Sequence, residues 1–345
     1  MKIIIDAMGG DYAPLEFLKG AFLASDAFDV DIVLVGRVEE ILKLMKEQGI
    51  ETLPKGVELM NAEDVVEMED DPTTVVKTRK NSSMVQGLRL LSEGGGDAFV
   101  SAGSTGALLT AATLVVKRVR GVRRAAFGPT IPTKTGSLVL IDSGANVECT
   151  PEFLLQFGCM GSFYAKQVLG LDEPRVGLLN IGTEPSKGDE LHKEAYEVLR
   201  SAGEAGTIRF VGNVESRDAM MGVCDVLVTD DFSGNVLLKG MEGTALFAGS
   251  LLKKALTRSW KTKLGALLLR KDLRSLMDTL NYKKIGGTML LGVAKPVIKA
   301  HGSADAEAVV GAVRQAVDAV NSGFCEAIRD RIDEMTLPKG ESEHA

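Results

Sequence analysis

The sequence predicts an α/β protein, a three-layer α/β/α sandwich in which helices cover both faces of a largely parallel sheet. Apolar runs alternate with helical patterns along most of the 345 residues, and this alternation is typical of parallel strands joined by helices. Glycine- and serine-rich turns follow several of these runs, at the strand ends where open α/β sheets bind ligands. The 38 glycines exceed the usual share of about 7%, which fits many tight turns.

The elements follow in order from the first residues. The first strand is the apolar run at residues 3–5, and Pro14 fits the start of the helix that follows. Further strands are predicted at residues 32–35, 98–101, 137–141, 176–181, 207–211, 226–229 and 289–293. Helices are predicted at residues 38–46, 83–91, 106–116, 153–169, 191–201 and 235–256. We expect one large domain over residues 1–335 and a polar tail at 336–345.

Composition narrows the class of protein. The net charge of −7 gives no support to nucleic-acid binding, which needs a basic surface. The four cysteines form no CxxC pair and lack the spacing of zinc ligands, so we expect reduced thiols in a cytoplasmic protein. The first strand follows Met1-Lys2 directly and leaves no room for a signal peptide. No uncharged apolar run approaches the ~18 residues of a membrane span.

The segment 260–282 differs from the rest of the chain, because leucines and basic residues share it without a strand pattern. One interpretation is a protruding helical hairpin, at about residues 258–282, that packs on a second copy of the chain. The other is an amphipathic basic element that lies on an anionic membrane. The residues alone favour the first interpretation.

Two turns in the first third of the chain are candidates for anion binding. Residues 6–11 and 101–106 each follow a predicted strand, and their glycines expose backbone N–H groups that can hold an anion. The candidate residues of these turns are Asp6, Gly9, Gly10, Ser104, Thr105 and Gly106. Ser104 or Thr105 can also cap the helix that follows, and plain capping is the alternative to ligand binding.

Three later turns have the same character, at residues 142–146, 181–189 and 229–235. Within the second, Ser186 and Asp189 have the spacing of a capping box. Lys187 would then lie where the helix dipole disfavours a cation, either as a solvated lysine or to share an anion with the helix end. The candidate residues beyond the amino-terminal turns are Asn146, Lys187, Asp230, Ser233, Gly234, Asn235 and His301.

Several catalytic motifs are absent from the sequence. We find no GxSxG nucleophile elbow, no Walker A loop and no HExxH pair. This argues against a covalent serine or cysteine enzyme, a P-loop NTPase and a zinc hydrolase. Donor-rich turns without a strong nucleophile suit a substrate that brings its own, such as inorganic phosphate. We expect neither a metal nor another cofactor.

A set of motifs in order along the chain resembles a known family. They are residues 6–11, 71–74, 101–107, 144–146, 178–182, 187–188, 233–236 and 301–303. They resemble the bacterial phosphate acyltransferases, acyl-carrier-protein:phosphate transacylases of the PlsX type, over residues 1 to about 332. The resemblance implies a catalytic domain with a fold similar to isopropylmalate dehydrogenases and phosphotransacetylases. It also implies conversion of acyl-acyl carrier protein and inorganic phosphate to acyl phosphate and free carrier protein, for phospholipid synthesis.

The resemblance also implies roles for the candidate residues. Lys187, Asn235 and His301 are expected to be catalytic: Lys187 offsets charge repulsion, Asn235 orients phosphate or donates to the oxyanion, and His301 orients phosphate or takes its proton. The expected substrate-binding residues are Asp6, Gly9, Gly10, Ser104, Thr105, Gly106, Asn146, Asp230, Ser233 and Gly234. Ser104 stands where the family has asparagine, Asp231 where it has glycine, and Tyr12 where it has histidine.

The implied partners are acyl carrier protein, inorganic phosphate, a second copy of the chain, an anionic membrane contacted near residues 260–282, and a membrane glycerol-3-phosphate acyltransferase. A basic cluster is the expected docking site for the acidic carrier protein, and it comprises Lys117, Arg118, Arg120, Arg123 and Arg124. Three alternatives stay open: a phosphotransacetylase-like enzyme that uses acyl-CoA, a non-catalytic scaffold that binds the carrier protein, and a metal- and NAD-dependent dehydrogenase of the same fold.

Overall fold

The computed structural model describes residues 1–273 and 286–336. Its strands are β1 Lys2–Asp6, β2 Asp31–Gly36, β3 Val57–Asn61, β4 Ala98–Ser101, β5 Ala126–Gly128, β6 Thr130–Thr133, β7 Gly136–Ile141, β8 Arg175–Leu179, β9 Arg209–Val214, β10 Val226–Val228, β11 Thr288–Leu291 and β12 Val297–Lys299. Its α-helices are α1 Leu15–Phe28, α2 Val38–Glu47, α3 Val75–Thr78, α4 Ser83–Ser92, α5 Thr105–Ala111, α6 Pro151–Gln167, α7 Glu190–Glu204, α8 Ser216–Ala219, α9 Asp231–Thr257, α10 Trp260–Leu268, α11 Ala306–Asn321 and α12 Phe324–Asp330. A π-helical turn, Ala112–Val116, continues α5, and a 3₁₀ turn, Ile332–Met335, follows α12.

The strands form two mostly parallel sheets. The first has the order β3-β2-β1-β4-β12-β11-β5, in which only β11 runs antiparallel to its neighbours. The second has the order β6-β7-β10-β8-β9, in which only β6 is antiparallel. The fold class predicted from the sequence is therefore confirmed, with its strands divided between two sheets. The carboxyl ends of the parallel strands share an edge in each sheet, which is where this class of fold places its ligands.

The core explains why β1 is a continuous apolar run. Ile3, Ile4 and Ile5 are all fully buried. Ile3 and Ile5 belong to the apolar cluster that includes residues of α1 and α11, whereas Ile4 belongs to the cluster on the other face, with residues of α4 and α5. A strand covered by helices on both faces has no polar side, so its sequence does not alternate.

The predicted strands and helices are all found, with shifted ends. Strands β3, β5, β6 and β12 were not predicted. Of these, β5 and β12 each contain only two apolar residues in a row, Ala126-Phe127 and Val297-Ile298, too few to show a pattern. Helix α9 begins at Asp231, four residues earlier than predicted. The predicted capping box was wrong, because Asp189 is itself the N-cap and its side chain accepts a hydrogen bond from the backbone of His192.

Helices α9 and α10 are the most exposed part of the described chain. Of the 27 residues of α9, only Gly234 is buried, and α10 has no buried residue. In residues 1–273 and 286–336, no helix has both the length and the apolarity to cross a membrane. Of the predicted hairpin, residues 274–282 lie outside the described residues, as do 337–345 of the predicted tail. All four cysteines are free thiols.

Candidate active site

A cavity of about 600 Å³ lies where the carboxyl ends of β4 and β12 approach β6 and α9. The lining residues are Asp11, Met68, Gly103, Thr105, Phe127, Pro129, Thr130, Ile131, Pro132, Ser143, Gly144, Met220, Asn235, Leu238, Lys239, Met241, Glu242, Ala245, Gly286, Gly287, Thr288, Lys299, Ala300, His301, Gly302 and Ser303. Its size is that of a small-molecule site. Three residues predicted from the sequence meet in it: Thr105, Asn235 and His301.

The register of the first sheet brings two of these residues together. β4 and β12 are neighbouring parallel strands, with Lys299 opposite Ser101. The turn that leads into α5 and the turn that follows β12 therefore leave the sheet side by side. This places the Thr105 hydroxyl and the His301 ring on the same cavity, although 196 positions separate them in the sequence, the difference between their residue numbers.

Lys299 is a cavity residue that sequence reasoning missed. Its ammonium donates hydrogen bonds to the carbonyl oxygens of Ala102, at 3.4 Å, and of Ala300. Burial lowers the pKa of Lys299 to about 8, while the carboxylates of Asp11 and Asp6 act in the opposite direction. Both hydrogen-bond partners are uncharged, so the positive charge is available to an anion in the cavity. The sequence feature that could have identified it is a lysine at the end of the short apolar run before His301.

The ring of His301 is oriented by Ser303. The backbone N–H of Ser303 lies 3.2 Å from Nδ1 of His301, and the Ser303 hydroxyl lies 2.9 Å from the same nitrogen. A backbone N–H can only donate, so Nδ1 accepts and the neutral ring carries its proton on Nε2. In this tautomer His301 can donate a hydrogen bond from Nε2. This geometry suits an orienting donor better than a base.

Asp6, Gly9 and Gly10 do not line the cavity. The Asp6 side chain instead connects the turn at residues 6–11 to the turn at residues 101–106. Its carboxylate accepts a hydrogen bond from the Ser101 hydroxyl at 2.7 Å and one from the backbone of Met8 at 3.1 Å. Burial raises the pKa of Asp6, and hydrogen bonds from Ser83 and Ser101 oppose that shift. A Cβ at Gly9 would lie 2.7 Å from the backbone nitrogen of Gly103, so glycine permits the turns to touch.

The turn after β7 is built around a buried carboxylate that was not predicted, Asp142. It accepts hydrogen bonds from the backbone of Phe127, Ser143 and Asn146 and from the Asn146 side chain, at 2.7–3.0 Å. Burial raises the pKa of Asp142 to about 6 against the effect of these donors, and the charge of Asp231 adds to the rise. The Asn146 amide also donates to the carbonyl of Ala125 at 2.9 Å. Its donors are therefore used within the fold.

The first turn of α9 packs on this network. Asp230 is the N-cap, and its carboxylate accepts a hydrogen bond from the backbone of Ser233 at 2.9 Å. A Cβ at Gly234 would lie 2.0 Å from the carbonyl oxygen of Asp142, so close packing requires glycine there. The next residue, Asn235, faces the cavity. In the predicted turn at residues 229–235, Asp230 and Gly234 therefore have structural roles, whereas Asn235 lines the cavity.

Lys187 lies apart from the cavity, in the exposed loop between β8 and α7. Its backbone donates to Glu184 and accepts from the Asn180 side chain, each at 3.1 Å. In the part of the chain that the structure describes, the predicted residues that do not line the cavity are Asp6, Gly9, Gly10, Ser104, Gly106, Asn146, Lys187, Asp230, Ser233 and Gly234. Ser104 is the N-cap of α5 and makes no side-chain capping bond.

The fold and the cavity define a class: an α/β protein whose strand ends offer a lysine, a hydroxyl and an amide to an anion beside an apolar wall. Known proteins give the family. A family model described as fatty acid synthesis protein matches residues 1–327. The phosphate acyltransferase of Caldanaerobacter subterraneus is 45% identical over 334 residues, 96% of this chain and 98% of that protein. The phosphate acyltransferase of Bacillus licheniformis is 44% identical over 336 residues, 97% and 99% of the two chains.

Among solved structures, a phosphotransacetylase from Streptococcus pyogenes matches with a TM-score of 0.62 and 18% identity, over 93% of this chain and 94% of that chain. This likeness concerns the fold alone. The relatives in sequence show the family and the enzyme class: the chain belongs to the phosphate acyltransferase family and is an acyltransferase of fatty acid synthesis.

Proposed function

We propose that this enzyme transfers the acyl group of acyl-acyl carrier protein to inorganic phosphate. A phosphate oxygen attacks the thioester carbonyl, the new C–O bond forms, and the C–S bond breaks. The carrier-protein thiolate leaves and takes up the proton that the hydrogen phosphate loses. The observation that carries the proposal is the cavity in which Lys299, Thr105 and His301 face an apolar wall in a chain of this family.

The roles follow from the groups in the cavity. Lys299 supplies a positive charge that holds phosphate and reduces its repulsion from the developing oxyanion, the electrostatic contribution that usually dominates acyl transfer. The Thr105 hydroxyl and Nε2 of His301 orient phosphate. Asn235 donates its side-chain amide to phosphate or to the oxyanion. Phosphate is the nucleophile, so the site needs no activated serine or cysteine, and holding both reactants supplies much of the remaining acceleration.

We further propose that the carrier protein docks on the basic cluster 117–124. Arg123 pairs with Glu152 at 3.0 Å, and Arg124 lies over the ring of Phe153, 5.3 Å from its centroid. These contacts hold the cluster beside the start of α6. Two residues after the cluster comes β5, whose Phe127 lines the cavity. An acidic carrier bound there would have a short path for its acyl arm, and its association would weaken as salt rises.

We also propose a homodimer with peripheral membrane association on the cytoplasmic side. The exposed apolar residues of α9 and α10 support this, among them Leu246, Phe247, Leu251, Trp260, Leu264, Leu267 and Leu268. Basic residues near them suit an anionic surface, and acyl phosphate released there is available to a membrane glycerol-3-phosphate acyltransferase. Light scattering tests the dimer. Flotation with anionic and neutral vesicles, with Trp260→Ala against wild type, tests the membrane contact.

The reaction is tested by measuring free thiol released from palmitoyl-acyl carrier protein with and without phosphate, with no nucleotide or metal added. We expect phosphate-dependent release and acyl phosphate as the product. Palmitoyl-CoA as donor distinguishes the phosphotransacetylase-like alternative. Absence of release from both donors at every phosphate concentration would contradict the proposal and favour a non-catalytic scaffold.

A further inference from the structure

One wall of the cavity is apolar and comes from the second sheet and its helices. Ile131 of β6, Met220 after α8, and Leu238 and Met241 of α9 all line it. The same four residues belong to, or pack against, one apolar cluster that is separate from the two clusters containing the core of the first sheet. The polar residues Thr105, Lys299 and His301 come from the first sheet. The cavity therefore joins a polar end to an apolar end.

Helix α9 contributes to both the polar and the apolar part of the cavity lining. Asn235, Leu238 and Met241 are spaced by three residues, so they lie along one face of the helix and all line the cavity. Asn235 is at the beginning of the helix, beside the polar groups. Beyond its amide donor the helix thus brings apolar side chains to the cavity, beside Lys239 and Glu242, which also line it and pair with each other at 2.8 Å.

The residues at the apolar end are held in place but able to adapt. The backbone carbonyl of Met220 accepts a hydrogen bond from the backbone of Lys134 at 3.1 Å, which fixes the segment after α8 against the end of β6. Methionine side chains are unbranched and fill irregular apolar space. Met220 and Met241 are therefore suited to contact an apolar ligand of variable length.

We propose that this wall binds the acyl chain of the thioester substrate, and that Met220 and Met241 limit the length of chain that the enzyme accepts. This inference rests on the proposed function and adds the location and length limit of the acyl subsite. An occupant with one anionic or polar reacting end and one unbranched apolar tail matches both ends of the cavity. Burial of the tail favours binding in proportion to the apolar area removed from water.

The test compares Met220→Trp with Met221→Trp. Met221 is the next residue, is 52% exposed and does not line the cavity, so it is a matched control for adding an indole. We expect Met220→Trp to lower kcat/KM for palmitoyl-acyl carrier protein about tenfold or more, while the value for hexanoyl-acyl carrier protein changes less than about threefold. Met221→Trp should leave the ratio of the two substrates unchanged. Met241→Trp repeats the test from a different element.

A binding measurement keeps the inference testable without turnover. The probes are alkyl phosphonates of increasing chain length, titrated by calorimetry into wild type and variants with matched thermal unfolding curves. We expect affinity to rise with chain length in wild type and in Met221→Trp, and to level off at a shorter chain in Met220→Trp. Equal chain-length dependence in all three proteins would overturn the acyl subsite. If the wild-type protein releases no thiol from acyl-acyl carrier protein of any acyl-chain length, yet binds longer phosphonates more tightly, the proposed function alone is overturned.

Discussion

The edges of the two sheets end in turns of similar composition but use their polar side chains differently. At the edge of the first sheet, Thr105, Lys299 and His301 face the cavity. At the edge of the second sheet, the Asn146 amide donates to the carbonyl of Ala125 and to the Asp142 carboxylate, and the Asp230 carboxylate accepts from the backbone of Ser233. Turns of similar composition can therefore either line a cavity or hold the fold together.

The difference has a specific physical cause. Asp142 at the second edge is a buried carboxylate, and a buried charge must be hydrogen-bonded to be tolerated. It therefore gathers the donors of its neighbours, including both the backbone and the side chain of Asn146. At the first edge, Asp6 has the corresponding position but accepts its hydrogen bonds from Ser101 and Met8, while Thr105 and His301 line the cavity.

Removing the cavity charge should have the largest effect. Lys299→Met should lower kcat/KM for phosphate by about 10²–10³-fold, because a donor to the developing charge is lost. The control is Lys295→Met, since Lys295 also donates to two backbone carbonyls, those of Leu91 and Gly96, but does not line the cavity. Steady-state phosphate kinetics make the measurement, and equal losses in the two variants would remove Lys299 from the site.

The pH dependence of activity should report the same group. The pKa of Lys299 in the folded protein is about 8, so the fraction of the protein that carries its ammonium falls as pH rises through that value. We expect kcat/KM for phosphate to decline above about pH 8. Lys299→Arg keeps its charge at these pH values, so any activity it retains should persist to higher pH. An identical decline in both proteins would assign the ionisation to another group.

At the second edge we expect an effect on stability rather than on phosphate binding. Asn146→Ala should lower the free energy of unfolding by about 1–3 kcal/mol, because Ala125 and Asp142 each lose a buried hydrogen bond. The KM for phosphate should stay within about threefold of wild type. Urea unfolding and kinetics measure the two quantities, with the exposed Asn321→Ala as control. A large rise in KM with unchanged stability would contradict the structural role.

The smallest effect is expected at the exposed loop of the second sheet. Lys187→Ala should change kcat/KM for phosphate much less than Lys299→Met does, about threefold or less, because Lys187 does not line the cavity of its own chain. Lys193→Ala, in the exposed part of α7, is the control. A loss as large as that of Lys299→Met would mean that a second chain brings its loop to the site, which supports the proposed homodimer.

Much of the fold could be predicted because its signals are local. The apolar run of β1 reflects burial on both faces, and Asp189 and Asp230 cap helices next to the strand ends where turns were predicted. The same turn chemistry predicted Thr105, Asn235 and His301, which line the cavity and whose roles stay predictions. Strand β12 was missed because its apolar run has only two residues, Val297 and Ile298, and Lys299 was missed with it.

The sequence by itself determined the class of fold and, through motifs in order, the family. These depend on patterns between neighbouring residues, which the chain carries before it folds. Only the tertiary structure decided which polar turns face the cavity, because that depends on strand register and on competition between distant donors. The placement of Ser101 opposite Lys299, and of Asn146 beside Asp142, follows from burial and packing that no single turn contains.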